Sequence, residues 1–308
     1  MTDAKALAAA GESAVKYLTK KAYPATTIAA CVRALCLIGG DAALEMLESY
    51  ADDFRSRVVN ELIRGWVSFD EGKYVRNILS QTMRHWISFH FISPPSLEGF
   101  EYMTNQTGLS LSKCGQVSDL SPLASLTNLT DLSLSECGQV SDLSPLASLT
   151  HLTNLSLLGI EQVSDLNPLA SLTNLTDLSL SECGQVSDLS PLASLTHLTN
   201  LSLLGIEQVS DLSPLASLTN LTSLHVPECE QVSDLSPLAG LINLTTLDLT
   251  ECASIKDLSP LENLQSLEKI VLSDDALETK YIPETIKTKV TYVMIWRGRD
   301  FFKSSSIF

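Results

Sequence analysis

Leucines return along most of this chain at a fixed interval of 23 residues. The unit over 126–148 reads LTNLTDLSLSECGQVSDLSPLAS, and further units begin at Leu149, Leu172, Leu195, Leu218 and Leu241. Counting the degenerate units at both ends, about eight coils are present. Such a repeat predicts a solenoid, because one coil cannot bury its apolar side chains without stacking on its neighbours.

Within each unit, a short stretch alternates between apolar and polar residues. Leu132 and Leu134 alternate with Asp131, Ser133 and Ser135, which is the period of two expected for a strand with one buried face. The other apolar positions fill the rest of the coil. Stacked coils therefore predict one parallel β-sheet, with leucines inside and polar residues on an outward face.

The return leg of the unit, SDLSPLAS over 141–148, is too short for a long α-helix. We expect Asp142 to bond nearby backbone amides. Ser144 is expected to cap a short helical turn, with Pro145 at its first position. Strands on a concave side and short 3₁₀ turns on a convex side together predict an α/β solenoid with the shape of a horseshoe.

The residues before the repeats show helical spacing instead. Asp41 is expected to cap one helix, a second helix covers 55–66, and Asp70 is expected to cap a third. Short antiparallel helices of this kind resemble HEAT-like pairs.

An open solenoid end exposes core, so both ends require a cover. A covering strand is expected within 85–92 and a final strand over 290–296. The chain then divides into a helical segment at 1–83, an entry cap at 84–105, the solenoid at 106–272, and a C-terminal cap and tail at 273–308.

Charge separates the solenoid from the rest of the chain. The whole chain has a net charge of −16, and residues 106–275 hold 21 acidic but only 3 basic side chains. Such a surface repels phosphate, so a nucleic-acid partner is not expected. A protein partner with a basic surface fits this charge better.

Two further features bear on location. The most apolar stretch, TTIAACVRALCLIGG, is interrupted by Arg33 and is too short to span a bilayer, so no membrane association is expected. The N-terminus, with Asp3 and without a long apolar region, does not read as a secretory signal. We therefore expect a cytoplasmic protein with reduced thiols.

Five of the seven cysteines share one site of the repeat unit, and two sister units place isoleucine there. A site that accepts Cys or Ile is a buried apolar site, so no metal or cofactor is expected. The residues at this site are Cys114, Cys137, Ile160, Cys183, Ile206, Cys229 and Cys252.

Catalytic patterns are absent from the sequence. His151 and His197 stand in a turn position that holds Asn in sister units, which favours exposed turn residues over acid–base catalysts. Gly72 and Lys73 do not complete a phosphate-binding loop, because the required first glycine and the hydroxyl residue are missing. The chain is therefore expected not to be an enzyme.

The outward columns of the strand face hold the candidate binding residues. Most positions are serine, but two apolar residues and an acidic row at the strand ends break the pattern. Alternatively, Leu158 and Leu204 pack against Ile160 and Ile206 to suit a coil without cysteine. The candidate partner-binding residues are Glu136, Leu158, Glu182, Leu204, His225, Glu228, Asp248 and Glu251.

The unit resembles the short bacterial leucine-rich repeats of internalin type, whose units end in a similar D-[IL]-x-P-L-x-x-L-T-N run. The resemblance covers about residues 106–272. It implies a leucine-rich-repeat horseshoe that binds protein. Here the usual asparagine is replaced by Cys or Ile, and each unit is one residue longer.

A second resemblance concerns residues 25–83. The stretch NELIRGWVSFDEGKYVRNIL is similar to the helical linker that precedes the repeats in bacterial NACHT-type signalling ATPases. It implies the sensor arm of such a signalling or defence system. Two alternatives stay open: part of an ATP-dependent signalling enzyme whose catalytic domain lies on another chain, or a structural spacer without ligand.

Overall fold

A computed structural model describes residues 11–18, 23–53, 55–81, 86–89, 94, 96–273 and 281–293. The first part of the chain is helical. A 3₁₀ turn at Gly11–Tyr17 is followed by four α-helices: α1 Ala25–Ile38, α2 Gly40–Glu48, α3 Ser56–Gly65 and α4 Glu71–Asn77.

The starts of these helices confirm one expectation and correct another. The side chain of Asp70 caps α4, because its Oδ1 atom accepts a hydrogen bond from the amide of Lys73 at 2.9 Å. Asp41 does not cap α2. Helix α2 begins at Gly40, and Gly39, in the left-handed region at φ 70°, stands at the cap position. Glycine alone makes that bend without strain.

Ten parallel strands form one sheet whose spatial order is the order of the sequence. Strands β2 to β9 recur with the repeat, and their bounds confirm the expected register. β1 and β10 pair with the first and last of these and cover the ends of the row. The strands are β1 Trp86–Ser88, β2 Gly108–Ser110, β3 Asp131–Ser133, β4 Asn154–Ser156, β5 Asp177–Ser179, β6 Asn200–Ser202, β7 Ser223–His225, β8 Thr246–Asp248, β9 Lys269–Ser273 and β10 Val290–Val293.

β1 lies in the first half of the stretch predicted at 85–92 and ends before Phe89, so it is shorter than expected there. Every described residue of the stretch predicted at 290–296 belongs to β10. Residues 85, 90–93 and 294–296 lie outside the described residues.

The interior of the solenoid is a continuous apolar core. Leu132 and Leu134 are 3% and 0% exposed, as the alternation predicts. The cysteine site is buried in every coil, and Ile160 and Ile206 take the same buried position. Because each coil buries its leucines on the next, loss of one side chain affects its neighbours as well.

The convex side carries one short 3₁₀ helix per coil, such as Ser144–Ser148. Pro145 stands in its first turn as expected, but Ser144 is the first residue of the turn and does not cap it. Asp142 takes that role, because its Oδ1 atom accepts a hydrogen bond from the amide of Ser144 at 2.8 Å. A carboxylate that stands two residues before an amide is well placed to accept from it, as Asp142 does from Ser144.

Polar side chains also join consecutive coils. The side-chain amide of Asn128 donates to the carbonyl of Thr104 at 2.9 Å, and the hydroxyl of Ser148 donates to the carbonyl of Ala124 at 2.7 Å. The same bonds recur in later coils. Exposed backbone carbonyls of the turns are thereby paired, which fixes the stacking distance between coils.

Aromatic side chains join the helical segment to the first coil. The ring of Trp66 lies 5.2 Å from Phe89 and 5.1 Å from Phe100, measured between centroids. Gln106, fully buried, replaces the leucine that later coils place at Leu129, and its side-chain amide has no hydrogen-bond partner among the described residues. The junction is thus apolar except for a few buried polar atoms.

Helices in the described ranges are too short or too polar to cross a bilayer.

Candidate protein-binding surface

The outward side chains of β2 to β9 and of the residues that follow each strand form the concave face. Three columns run along it, and most of their side chains are half-buried by neighbours in the same column. In the five central coils the columns are Asp131, Asn154, Asp177, Asn200 and Ser223; Ser133, Ser156, Ser179, Ser202 and His225; and Ser135, Leu158, Ser181, Leu204 and Pro227.

The first column contains two acid–amide pairs that the sequence analysis did not single out. The amide of Asn154 donates to Oδ1 of Asp131 at 2.6 Å, and Asn200 donates in the same way to Asp177. Oδ2 of Asp131 accepts the hydroxyl of Thr130 at 2.6 Å. The signal was present as Asp and Asn alternating at one site of successive units.

The serines of the other two columns form short hydrogen-bonded chains. The hydroxyls of Ser133 and Ser135 lie 3.0 Å apart. Those of Ser181 and Ser202, on neighbouring coils, lie 2.9 Å apart. These hydroxyls are therefore held in fixed orientations instead of rotating freely in water, so a bound partner has little side-chain freedom to restrict.

The two apolar candidates interrupt this polar surface. Leu158 and Leu204 are half-buried, whereas the inward neighbours Leu157 and Leu203 are fully buried. Part of each candidate side chain therefore remains accessible on the concave face. Packing accounts for the covered part of these leucines, and the rest of each is accessible apolar surface in two coils that differ at one position.

The strand-end row consists of Lys113, Glu136, Gly159, Glu182, Gly205, Glu228 and Glu251. All seven residues have a left-handed backbone, with φ between 57° and 71°. For residues other than glycine this conformation costs about 1–2 kcal/mol. The amide of Glu136 donates to the carbonyl of Leu158 at 2.7 Å, so the bend delivers one bond to the next coil. In the sequence, only the two glycines of the row indicated this backbone conformation.

The four glutamates of this row are exposed. Partial burial raises the pKa of Glu228, and the negative charges of Glu251, Glu182 and Glu207 raise it further. Mutual repulsion of this kind means that the row presents a negative potential along one border of the concave face.

His225 and Asp248 lie opposite each other on β7 and β8. Nδ1 of His225 is 3.8 Å from Oδ2 of Asp248, and Nε2 is 2.9 Å from the hydroxyl of Ser223. The order resembles a nucleophile, base and acid, but the first distance is longer than a hydrogen bond. The amide of Ser223 already donates to Thr199, so it cannot stabilise an oxyanion there. The group is a cluster of polar side chains at the C-terminal end of the face.

The two other histidines in the described part of the chain, His151 and His197, have structural roles. Nδ1 of His151 lies 2.9 Å from the carbonyl of Thr127, and Nδ1 of His197 lies 2.8 Å from that of Thr173. A carbonyl only accepts, so Nδ1 carries the proton, and each ring replaces the asparagine of sister coils. Among the described residues, no group of three or more His, Cys, Asp or Glu could hold a metal ion.

An open parallel sheet backed by 3₁₀ turns, with one ordered outward face, defines a leucine-rich-repeat solenoid. The family of Leucine Rich repeats (2 copies) matches residues 107–148, 173–217 and 219–263. Internalin C2 of Listeria monocytogenes str. 4b F2365 is 37% identical over 66% of this chain and 84% of its own, with a TM-score of 0.57. The chain belongs to the leucine-rich-repeat proteins of internalin type.

Two other solved structures are more distant. A second internalin of the same strain, inlF, is 25% identical over 66% of this chain and 84% of its own, with a TM-score of 0.40. A leucine-rich-repeat protein of Leptospira interrogans is 14% identical over 82% of this chain and 75% of its own, with a TM-score of 0.48. No curated protein matches the sequence. Leucine-rich repeats generally mediate protein–protein interaction, and this is the coarse function that the family gives.

Proposed function

We propose that this chain binds a protein partner on the concave face of its solenoid. The observation that carries the proposal is the order of that face, whose hydroxyls and acid–amide pairs are locked in hydrogen bonds along the columns. A pre-organised surface loses little entropy on binding, and this favours recognition of a protein over a role as a spacer.

The partner presents basic side chains at the strand-end row. Glu136 and Glu182 retain a strained backbone conformation at a site where sister coils hold glycine. They are exposed, so packing does not account for them. Recognition of lysine or arginine does, because charge complementarity directs a partner and sets its orientation.

Apolar contact comes from Leu158 and Leu204, and polar contact at the C-terminal end comes from His225 and Asp248. Glu228 and Glu251 continue the acidic border beside them. Together these residues surround the serine columns, so the partner is expected to cover most of the length of the face.

More specifically, we propose that the chain acts as the sensor arm of a cytoplasmic NACHT-type signalling system. Support comes from the resemblance of residues 25–83 to the linker of such ATPases and from the seven cysteines, which form no disulfide and six of which are buried. The role requires a separate ATPase. A complex with a NACHT-type ATPase encoded by a neighbouring gene, stable in gel filtration, is the expected result.

Selection from a random peptide display library tests the concave-face proposal. Peptides enriched on the folded chain should be basic, and their binding should weaken with salt. Glu136→Lys with Glu182→Lys should abolish it. Lys113 already shows that lysine fits this backbone conformation.

The matched control is Glu45→Lys with Glu262→Lys, which makes the same change in net charge at exposed positions elsewhere. The control should bind like the wild type. Leu158→Ser with Leu204→Ser should speed dissociation. If selection yields no binder, or if the peptides bind the concave-face variants as well as the wild type, the proposal is wrong.

A further inference from the structure

A groove between α1 and α3 is basic, in a chain whose net charge is −16. Its volume is about 320 Å³. Its polar lining consists of Thr26, Arg33, Arg57, Asn60, Glu61 and Arg64. Three guanidinium groups and one carboxylate give it a formal charge of +2. The groove lies on the helical segment and is separate from the concave face.

Glu61 organises the groove from within. Its side chain is 8% exposed, and Oε2 accepts a hydrogen bond from Nε of Arg33 at 2.9 Å. Oε1 accepts from a second nitrogen of Arg33 and from Arg64 at 3.1 Å. A buried carboxylate needs such partners. Glu61 thus holds both arginine side chains in place, while about half of each stays exposed, at 56% for Arg33 and 50% for Arg64.

Arg57 lies on the same face of α3, one turn before Glu61, and is exposed. It adds a positive charge that the buried glutamate does not neutralise. Thr26 and Asn60 contribute a hydroxyl and an amide beside it. These are the donor types that bind phosphate oxygens in proteins.

The two helices begin at the same end of the groove. The guanidinium of Arg55, just before α3, donates to the carbonyl of Tyr23, just before α1, at 3.0 Å. Neither helix has a side-chain cap at its N-terminus. The positive ends of two helix dipoles therefore lie at this end of the groove, together with the ion pair of Arg55 and Asp53.

We propose that this groove binds a phosphate monoester group. A phosphate monoester carries about −1.5 to −2 charges at neutral pH, which matches the groove, and arginine binds its oxygens with paired donors. The volume suits a small head group and is at the low end for ligand sites. The ligand is a free phosphate ester or a phosphorylated side chain of a protein, and the two share this chemistry.

Calorimetric titration of the full chain tests the site with three probes: inorganic phosphate, a phosphoserine peptide, and the same peptide without phosphate. The phosphorylated probes should bind and the third should not. Equal affinity for phosphate and phosphopeptide indicates a small-molecule ligand, whereas tighter binding of the peptide indicates a protein. Affinity should rise between pH 5 and pH 7.5, because the second phosphate pKa is about 6.

Two substitutions should act in opposite directions. Arg57→Gln should weaken phosphopeptide binding about tenfold, since it removes a charge-assisted contact. Glu61→Gln keeps the side-chain shape and removes the competing carboxylate, so binding should tighten. Arg76→Gln is the control with an equal loss of charge, because Arg76 stacks on Tyr102 at 4.5 Å and does not line the groove.

Circular dichroism checks that each variant is folded. Arg57→Gln is the variant least expected to disturb the fold, because Arg57 is exposed. Equal weakening by Arg57→Gln and Arg76→Gln would overturn the proposal, because it would reduce the effect to overall charge. Absence of discrimination between the phosphorylated and unphosphorylated peptides would overturn it as well. The phosphate site does not depend on the concave-face proposal, so failure of the peptide selection would not contradict it.

Discussion

Glu136 and Gly159 occupy equivalent sites of neighbouring coils and share a left-handed backbone, with φ of 58° and 71°. A Cβ atom built on Gly159 would meet the Cγ atom of Glu136 at 3.5 Å, an ordinary contact. Space is therefore not what restricts this site. The backbone conformation alone makes glycine the less strained residue there.

Exchanging the two residue types should change stability in opposite directions. Glu136→Gly should stabilise the fold by about 0.5–1 kcal/mol, and Gly159→Ala should destabilise it by a similar amount, after the change in unfolded-state entropy is included. Urea unfolding measures both. If Glu136→Gly destabilised the protein, the side chain would have a structural role that outweighs the strain.

Leu132 should carry much of the stability of its coil. Leu132→Ala should cost about 2–5 kcal/mol, because it opens a cavity in a continuous core. Leu158→Ala, at a half-exposed position, should cost far less. Urea unfolding of the two variants compares them directly, and equal costs would contradict the assignment of inward and outward columns.

The thiols of the repeat should react slowly in the native protein. Cys183 is 0% exposed, and burial raises its pKa to about 11. Thiolate, the reactive form, is therefore scarce at pH 8 as well as inaccessible. Labelling of Cys137, Cys183 and Cys229 with a maleimide should be slow before denaturation and rapid after it. Fast native labelling at all three would contradict the stacking register.

Asp248 should make stability depend on pH. Burial by itself raises the pKa of this carboxyl, but the nearby imidazole of His225 and hydrogen bonds from the amide and hydroxyl of Thr250 lower it overall. A lowered folded-state pKa stabilises the fold above the unfolded value of about 3.9, and this stability is lost as pH falls through the folded-state pKa. At pH 7, Asp248→Asn should therefore be less stable than wild type by about 1–3 kcal/mol.

Urea unfolding of wild type and Asp248→Asn at pH 7 and at pH 3 measures this gap. The gap should narrow at the lower pH, because the Asp248 carboxyl of the unfolded chain is protonated there, which favours unfolding of the wild type. A gap of the same size at both pH values would mean that the charge of Asp248 does not contribute.

The sequence was sufficient for the solenoid because its period and its alternation have a direct structural meaning. A residue such as Leu134 can only face inward if all equivalent leucines do, so the core and the strand register follow together. The acidic border was also visible, since equivalent positions align down the units. Its left-handed backbone was indicated only by Gly159 and Gly205, which stand at the same site.

Contacts between residues distant in sequence could not be predicted. Arg33 and Glu61 are 28 positions apart and lie on helices that have no repeat to set their orientation. Helical periodicity predicts the buried face of each helix but not which helices pack together. The start of α2 was misplaced for a local reason: a left-handed Gly39 ends the previous helix and takes the cap position, so Asp41 stands two residues too late to cap.

The hydrogen bonds between consecutive coils repeat from coil to coil, so the number of coils can change without altering the contacts between them. Residues 126–171 and 172–217 differ at one position, and each block contains its own acid–amide pair. Removing the second block would join Ser171 to Leu218 across a boundary that Ser217 already forms. The row of strands would shorten by about 10 Å, two strand spacings, without any new packing problem. Unequal recombination within such a gene can therefore change the reach of the protein in whole steps while every joint stays the same.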